Sequence, residues 1–408
     1  TLPENLPLTI QLPLAEMRVD AANNDTSKKI IQGVSGVAGD VIETYGTALE
    51  FMAGIGMLAD VTESARELGF EPEKTYEALR PALFYQGRQY AFPRNPNVEM
   101  YWVNKDVFQK YNQPLPPRRW TVEEFERRGK AFIAAVRASG QRQTVFFADR
   151  ASASDLRRSL GLSMFNETLT RCTLDDPRNA RIMALIRKWT FEDHILPSPA
   201  DLSAISTEGG WGGQKFQMFK NGQYALFRSG RWALMLFRRF GAMNLDVVEP
   251  PHGGYPTVAF GGGQSTVYAG SSHRHAAKLF LAYMADEAYN MQIVRDGDAL
   301  PPNPIYAQTE AFLHPPDHPN EWGCHEAFVE TAENIAIPVS ASPFVLPLTA
   351  GRYDDDALGL VLNNRATPAE ASRMAADRIN EAMQRTLEEQ PNLQPQYREW
   401  CELQTKID

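Results

Sequence analysis

Cysteine is scarce: Cys172, Cys324 and Cys401 are the three in a chain of 408 residues. They allow at most one disulfide and leave one thiol over, and their spacing makes no metal knot. So little cysteine leaves the redox compartment open. Basic charge is also short. Lysine and arginine number 41 against 50 acidic residues, a formal net charge of −9. No basic face is offered to neutralise phosphates, which excludes general nucleic-acid binding. No apolar run approaches the ~20 residues that a membrane span needs. The opening "TLPENLPLTIQ" lacks a signal-peptide pattern, so any targeting segment is expected to have been removed or never to have been there. Internal repeats, low-complexity tracts, a Gly-x-Ser-x-Gly elbow and an HExxH pair are all missing. Carboxylate pairs that cleave glycosides stay open, because their separation is a property of three dimensions.

What is present reads as a folded α/β chain. Apolar residues make up 43% and charged residues 22%, and the length suits two domains or one elaborate one. Thr121-Val122-Glu123-Glu124 is a capping box, followed by Phe125, Phe132, Ile133 and Val136 on one helical face. Thr367-Pro368-Ala369-Glu370 repeats the device with proline at the first helical position. Ser272 is expected to cap a third helix carrying Leu279, Phe280, Tyr283 and Met284. Between the helices lie short β-rich runs at 8–12, 40–44, 144–148, 245–248 and 265–269, and such alternation reads as α/β layers. Proline-rich connectors at 113–120, 249–256 and 300–319 suit either ordinary surface loops or a chain that crosses three times between two lobes.

The stretch "FKNGQYALFRSGRW" (219–232) leads a strand to a glycine and then to Arg231 and Trp232. Trp232 reads equally as a stacking ring at a strand end or as a core ring opening the helix through Leu234 and Leu236. "EGGWGGQ" (208–214) sets Trp211 between glycine pairs, where the backbone has little helix or strand preference. "FGGGQST" (260–266) is read as a glycine turn before a strand. It fits neither GxGxxG nor the Walker pattern. "HRH" (273–275), "HPPDHP" (314–319) and Asp354-Asp355-Asp356 lack zinc or EF-hand spacing and read as solvated groups, so no metal site is expected.

Four patches in order carry a family resemblance. "IIQGVSGVAGDVIETYGTALEFMAGIGMLADVTE" (30–63) holds a glycine-containing turn, an Asp-Val strand and a helix ending in Gly-x-Leu-x-Asp. Residues 84–132 hold a small hairpin, Tyr-x-x-Asn-Lys-Asp-x-Phe, a proline crossing and a Trp-Thr-x-x-Glu-Phe helix. Residues 219–234 hold Phe-x-x-Gly-x-x-Ala followed by Gly-x-Trp, and residues 260–290 a glycine turn, a strand and a helix pair. The chain thus resembles the family 1 extracellular solute-binding proteins, the carbohydrate-capturing components of ABC importers. Members usually begin with a strand and helix ahead of the segment that "PLTIQLPLAE" (7–16) resembles. That unit has no counterpart here, so it is expected upstream of residue 1, or else the first lobe is a strand short.

The resemblance implies a two-lobed periplasmic-binding-protein-like α/β fold, with three interlobe crossings and a ligand cleft between the lobes. It divides the chain into an amino-terminal lobe (1–113 plus 257–315) and a carboxy-terminal lobe (114–256 plus 316–408). It implies capture of a mono- or oligosaccharide by hinge closure outside the cytoplasm, in a secreted or lipid-anchored monomer. Delivery would be to an ABC-transporter permease, without cofactor or chemistry on the ligand. A sugar needs flat rings for its C–H face and directional polar groups for its rim. The implied ligand-binding set is Trp232, Arg231, Trp211, Tyr45, Arg94, Asn95, Gly262 and Gln264, with Gly230 allowing close backbone approach and Trp102 assigned to the core. Arg94 and Arg231 raise the prospect of an acidic saccharide. The alternatives are a polysaccharide-active hydrolase or lyase using the same aromatic cleft, and a sugar sensor that reports to a receptor.

Overall fold

Runs of β-branched and aromatic residues become strands, and apart from a two-stranded hairpin they assemble into two sheets. The computed structural model describes residues 17–20, 26–45, 48–141, 143–205, 213–339 and 341–407. The strands are β1 (Val19–Asp20), β2 (Val41–Tyr45), β3 (Phe84–Tyr85), β4 (Arg88–Gln89), β5 (Ala91–Val98), β6 (Met100–Asn104), β7 (Phe146–Ala148), β8 (Tyr224–Ser229), β9 (Leu245–Val248), β10 (Ala259–Val267) and β11 (Ile337–Pro338). The first sheet is built on β10, which pairs antiparallel with β5 along one edge and with β2 along the other. β1 extends that sheet parallel to β2, and β11 pairs parallel with the start of β10. The second sheet runs β7-β8-β6-β9. The expected strand at 8–12 lies outside the described residues.

The chain passes between sheets with little slack. A single residue, Glu99, separates β5 from β6. Residues 249–258 lead back from β9 to β10, and after β11 the chain leaves again for the Pro347–Leu362 helix. That helix packs on the Pro368–Glu389 and Pro177–Phe191 helices of the second body. This is the two-lobed arrangement with three crossings.

Alternation along β6 explains how one strand serves two cores, since successive side chains point to opposite faces. Met100 and Trp102 join the cluster holding Phe227, Phe237 and Phe328, while Tyr101 and Val103 join Phe125, Phe147 and Trp189. Trp102 is fully buried, as assigned, and its indole N–H donates to the Gly230 carbonyl at 3.1 Å.

Local signals set the helix starts. Thr121 Oγ1 accepts from the Glu124 N–H at 3.2 Å, opening Val122–Ala138. At Thr367 the box is reciprocal: Glu370 N donates to Thr367 Oγ1 at 3.3 Å and Thr367 N donates to Glu370 Oε2 at 2.9 Å. The third expectation fails. The helix spans Arg274–Ala285 with His273 at its N-cap and no side-chain cap, and the His273 N–H itself donates to Ser271 at 2.9 Å. All three cysteines are free, Cys172 and Cys324 inside the core.

The glycine run 261–263 corrects a second expectation. It is not a turn but the middle of β10: all three glycines pair with β5, and Gly263 pairs with β2 as well. Close neighbours enforce this. Gly262 has φ +124°, and a Cβ there would lie 2.4 Å from the Asn95 carbonyl oxygen. Only glycine combines that backbone angle with that approach.

Candidate ligand-binding site

The expected site residues fall into two groups, one on each sheet. Tyr45, Arg94, Asn95, Gly262 and Gln264 belong to β2, β5 and β10; Arg231 and Trp232 follow the end of β8. Trp211 lies outside the described residues. The groups meet at the first crossing. A Cβ on Gly230 would lie 1.9 Å from Asn97 Oδ1, so the glycine is required by the approach of β5 and not by its own ordinary φ of −83°. Gly230→Ala is expected to displace Asn97 and lower stability by about 1–3 kcal/mol. Because Asn97 Oδ1 is buried without a hydrogen-bond partner, adding Asn97→Ala is expected to restore most of the loss. Denaturation midpoints of the three proteins check this.

Individually, several of these side chains turn inward. Gln264 is 2% exposed and donates to the Ala82 carbonyl at 3.1 Å, which puts it in the first body's interior rather than on a cleft wall. Asn95 Oδ1 accepts from the Gly263 N–H at 3.0 Å, at the point where the β5–β10 register shifts. Arg94 Nε lies 3.5 Å from Glu43 Oε1, and Tyr45 closes β2 opposite Gly263. Arg231 is the largest departure. It is 1% exposed, with its guanidinium donating to the Asp298 and Ala299 carbonyls and to His325 Nδ1. Its partners come from segments about 70 and 90 residues away in sequence, which no local pattern discloses. Trp232 is half-buried, its ring centroid 5.8 Å from that of Phe216.

A cavity that sequence reasoning missed lies between the bodies. It measures about 320 Å³ and is lined by Ile337 and Pro338 of β11, by Ser154, Arg157 and Arg158 of the Ala153–Ser159 helix, and by Ser342. Among the described side chains, none of Trp232, Arg231, Arg94, Asn95 and Gln264 lines it. Its walls combine apolar carbon with small hydroxyls, in two stretches, "ASASDLRR" (151–158) and "VSASPF" (339–344), whose serine-rich composition is a faint signal at best.

Charge around this cavity and the neighbouring crossing is paired internally. Arg157 reaches both oxygens of Asp354, at 2.9 and 3.0 Å, and its Nε donates to Asn179 Oδ1 at 2.8 Å. Arg158 bonds Asp155 and donates to the Thr257 carbonyl at 2.9 Å. Arg228 Nε donates to Asp155 Oδ2 at 2.7 Å and also contacts Glu99, which accepts from Arg150 at 3.4 Å. Burial pushes Asp155 up to about 6 and Arg228 down to about 10, so both stay charged at neutral pH.

Glu50 of the first body reaches a residue of the cavity lining without lining the cavity itself. It lies in the Ala48–Gly54 helix, and its carboxylate accepts the backbone N–H of Ala341, a cavity-lining residue. Burial pushes its pKa from 4.5 up to about 7, and Oε2 has no hydrogen-bond partner. Because the folded value is the higher one, Glu50 favours the folded state below about pH 4.5, and that contribution fades as pH rises through 7. Glu50→Gln is therefore expected to match the wild type near pH 4 and exceed it by about 3 kcal/mol at pH 8. Paired denaturation curves at the two pH values measure this.

The sequence model of the bacterial extracellular solute-binding protein family matches residues 14–320. Among solved structures, the ABC substrate-binding protein of Listeria monocytogenes in complex with cycloalternan is similar at 24% identity and TM-score 0.74, with 89% of this chain and 90% of that one covered. A solute-binding protein of Thermotoga lettingae bound with α-D-tagatose gives 15% identity and TM-score 0.70, with 88% of each chain covered. The GacH receptor of Streptomyces glaucescens, solved unliganded and with acarbose, gives 19% and 0.68, with 88% of this chain and 87% of that one covered. Among curated proteins none matches the chain.

Proposed function

The chain belongs to the bacterial extracellular solute-binding proteins, and from that premise we propose that it captures a small, neutral saccharide between its lobes and delivers it to an ABC-transporter permease. The observation that carries this reading is the cavity of about 320 Å³ bounded by elements of both bodies. That volume stands at the lower end of the usual 300–1,000 Å³ for ligand pockets and suits one or two sugar rings. Similar folds in complex with cycloalternan, α-D-tagatose and acarbose favour the saccharide class.

Neutrality follows from the pairing of the arginines. Arg157, Arg158 and Arg228 already carry carboxylates, and Arg94 faces Glu43. An anionic ligand would compete with those pairs instead of completing them. The acidic ligand suggested by Arg94 and Arg231 in the sequence thus loses its support. The serine hydroxyls and backbone groups around the cavity supply the rim contacts, and Trp232, which does not line the cavity, is assigned the ring face for the part of the sugar that reaches beyond it toward the end of β8.

The mechanism is hinge closure. The first crossing has one residue, Glu99, between strands of different sheets, so a small change of backbone angle there swings one body against the other. A ligand touching both bodies shifts the equilibrium toward closure by its differential affinity for the closed state. The lobe division drawn from the sequence is kept in outline with two changes: its first boundary moves to Glu99 because β6 pairs wholly within the second sheet, and β11 joins the first lobe because it pairs with β10. The protein acts outside the cytoplasmic membrane as a monomer. Among the described residues no helix is long and apolar enough to cross a membrane.

The test is a titration panel of D-tagatose, ribitol, maltose and D-glucuronate, read by intrinsic fluorescence and calorimetry, with chromatography of each sugar afterwards. A neutral sugar should bind and be recovered unchanged. Preference for the uronate would end the neutral assignment, and appearance of a cleavage product would end the receptor reading.

A further inference from the structure

Arg231 opens the short 3-10 turn Arg231–Ala233 and immediately precedes Trp232. An arginine cannot shed its proton in a protein, so a fully buried one must be fully occupied. Its Nε donates to His325 Nδ1 at 3.1 Å, and its terminal nitrogen donates to the carbonyls of Asp298 at 2.5 Å and Ala299 at 3.2 Å. The guanidinium carbon lies 4.0 Å from the centroid of the Phe312 ring.

The bond to His325 fixes a tautomer. Arginine Nε is only ever a donor, so His325 Nδ1 is the acceptor and the ring proton sits on Nε2. That nitrogen faces Glu321 Oε2 at 3.4 Å, and Glu321 is gripped by Arg238 through two contacts of 3.0 and 2.8 Å. Arg231 therefore ends a buried chain, Arg238–Glu321–His325–Arg231, whose members come from two stretches of sequence, 231–238 and 321–325. The carbonyls it holds sit just before Leu300, whose N–H donates to Pro96 of β5 at 2.9 Å. The end of β8 in the second sheet is thereby tied to a strand of the first.

We propose that Arg231 is a positioning residue for ligand binding: by anchoring the turn after β8 to the 298–299 backbone, it fixes the orientation in which the Trp232 ring is presented. Peptide planarity and the tight turn transmit the anchor, because neighbouring side chains in a 3-10 turn diverge by about a third of a rotation. With Arg231 held inward, Trp232 is set beside Phe216 and half-open to solvent. This rests on the proposed function insofar as Trp232 meets the sugar.

The experiment compares Arg231→Met, Arg231→Lys, Trp232→Ala and the Arg231→Met/Trp232→Ala double variant, with circular dichroism confirming the fold of each. The first readout needs no ligand. The Trp232 signal is the difference between each protein and its Trp232→Ala counterpart, and acrylamide quenching of that signal should rise at least twofold in Arg231→Met. The second readout is affinity for maltose. Arg231→Met should weaken it roughly tenfold or more, the double variant should be no weaker than Trp232→Ala alone, and Arg231→Lys should recover part of the loss. Unchanged quenching, or additive losses in the double variant, overturns the positioning role. If the wild type binds no maltose, D-tagatose takes its place in the second readout; if it binds no sugar of the panel, the saccharide reading fails while the quenching result still decides the role of Arg231. If Arg231→Met does not fold, His325→Leu takes its place, removing the acceptor while keeping the arginine.

Discussion

Trp232→Ala is expected to weaken binding of the neutral saccharide roughly thirtyfold while leaving the fold intact. The ring lies half-buried at the margin of the large aromatic cluster, with Phe216 beside it. Its loss therefore opens no sealed cavity, and the protein should unfold at nearly the wild-type midpoint. A sugar stacked on the exposed face, however, would lose the apolar contact of a whole indole. Covering a large aromatic side chain is worth about 2 kcal/mol, which converts to that factor in affinity. Calorimetric titration with the best sugar of the panel measures it. An unchanged dissociation constant would remove Trp232 from the site.

Asp354→Asn carries the largest expected effect on stability, a loss of about 3–5 kcal/mol. Arg157 and Asp354 are 3% and 8% exposed, and they join the Ala153–Ser159 helix to the Pro347–Leu362 helix through a two-pronged contact. The amide would leave a buried guanidinium without its counter-charge, and Asn179 cannot supply one. Replacing both partners with Arg157→Met and Asp354→Leu should cost less than Asp354→Asn alone, because it is the widowed charge that is expensive. Since Arg157 also lines the cavity, Asp354→Asn should weaken sugar binding as well. Denaturant midpoints, followed separately by fluorescence and circular dichroism because two lobes need not unfold together, provide the check. A midpoint within error of the wild type would show the pair to be dispensable.

Whatever depended on a few neighbouring residues could be read from the sequence. The strand at 245–248 was read residue for residue, and the Thr121 and Thr367 caps marked the starts of two helices correctly, because capping is settled within four residues. The sequence marks Gly230 as a place where the backbone can approach a ligand closely, whereas in the structure it is the Asn97 side chain that occupies the space beside it. The glycine run 261–263 lies in a strand rather than the expected turn because its pairing, with β5 throughout and with β2 at Gly263, is made by segments far away in sequence.

The sequence by itself determined the family, the layered α/β architecture and the order of its elements, since these follow from periodicity, caps and short motifs carried in order along the chain. Only the tertiary structure decided the direction of each polar side chain. Arg231 looked like a donor for a ligand, and it became a buried tie once the 298–299 carbonyls and His325 folded against it. The cavity between the bodies was equally hidden, because its walls come from residues 154–165 and 337–351, which meet only when the lobes do. Secondary structure and family motifs are largely local properties, whereas a binding site is made by distant segments brought within a few ångströms of one another.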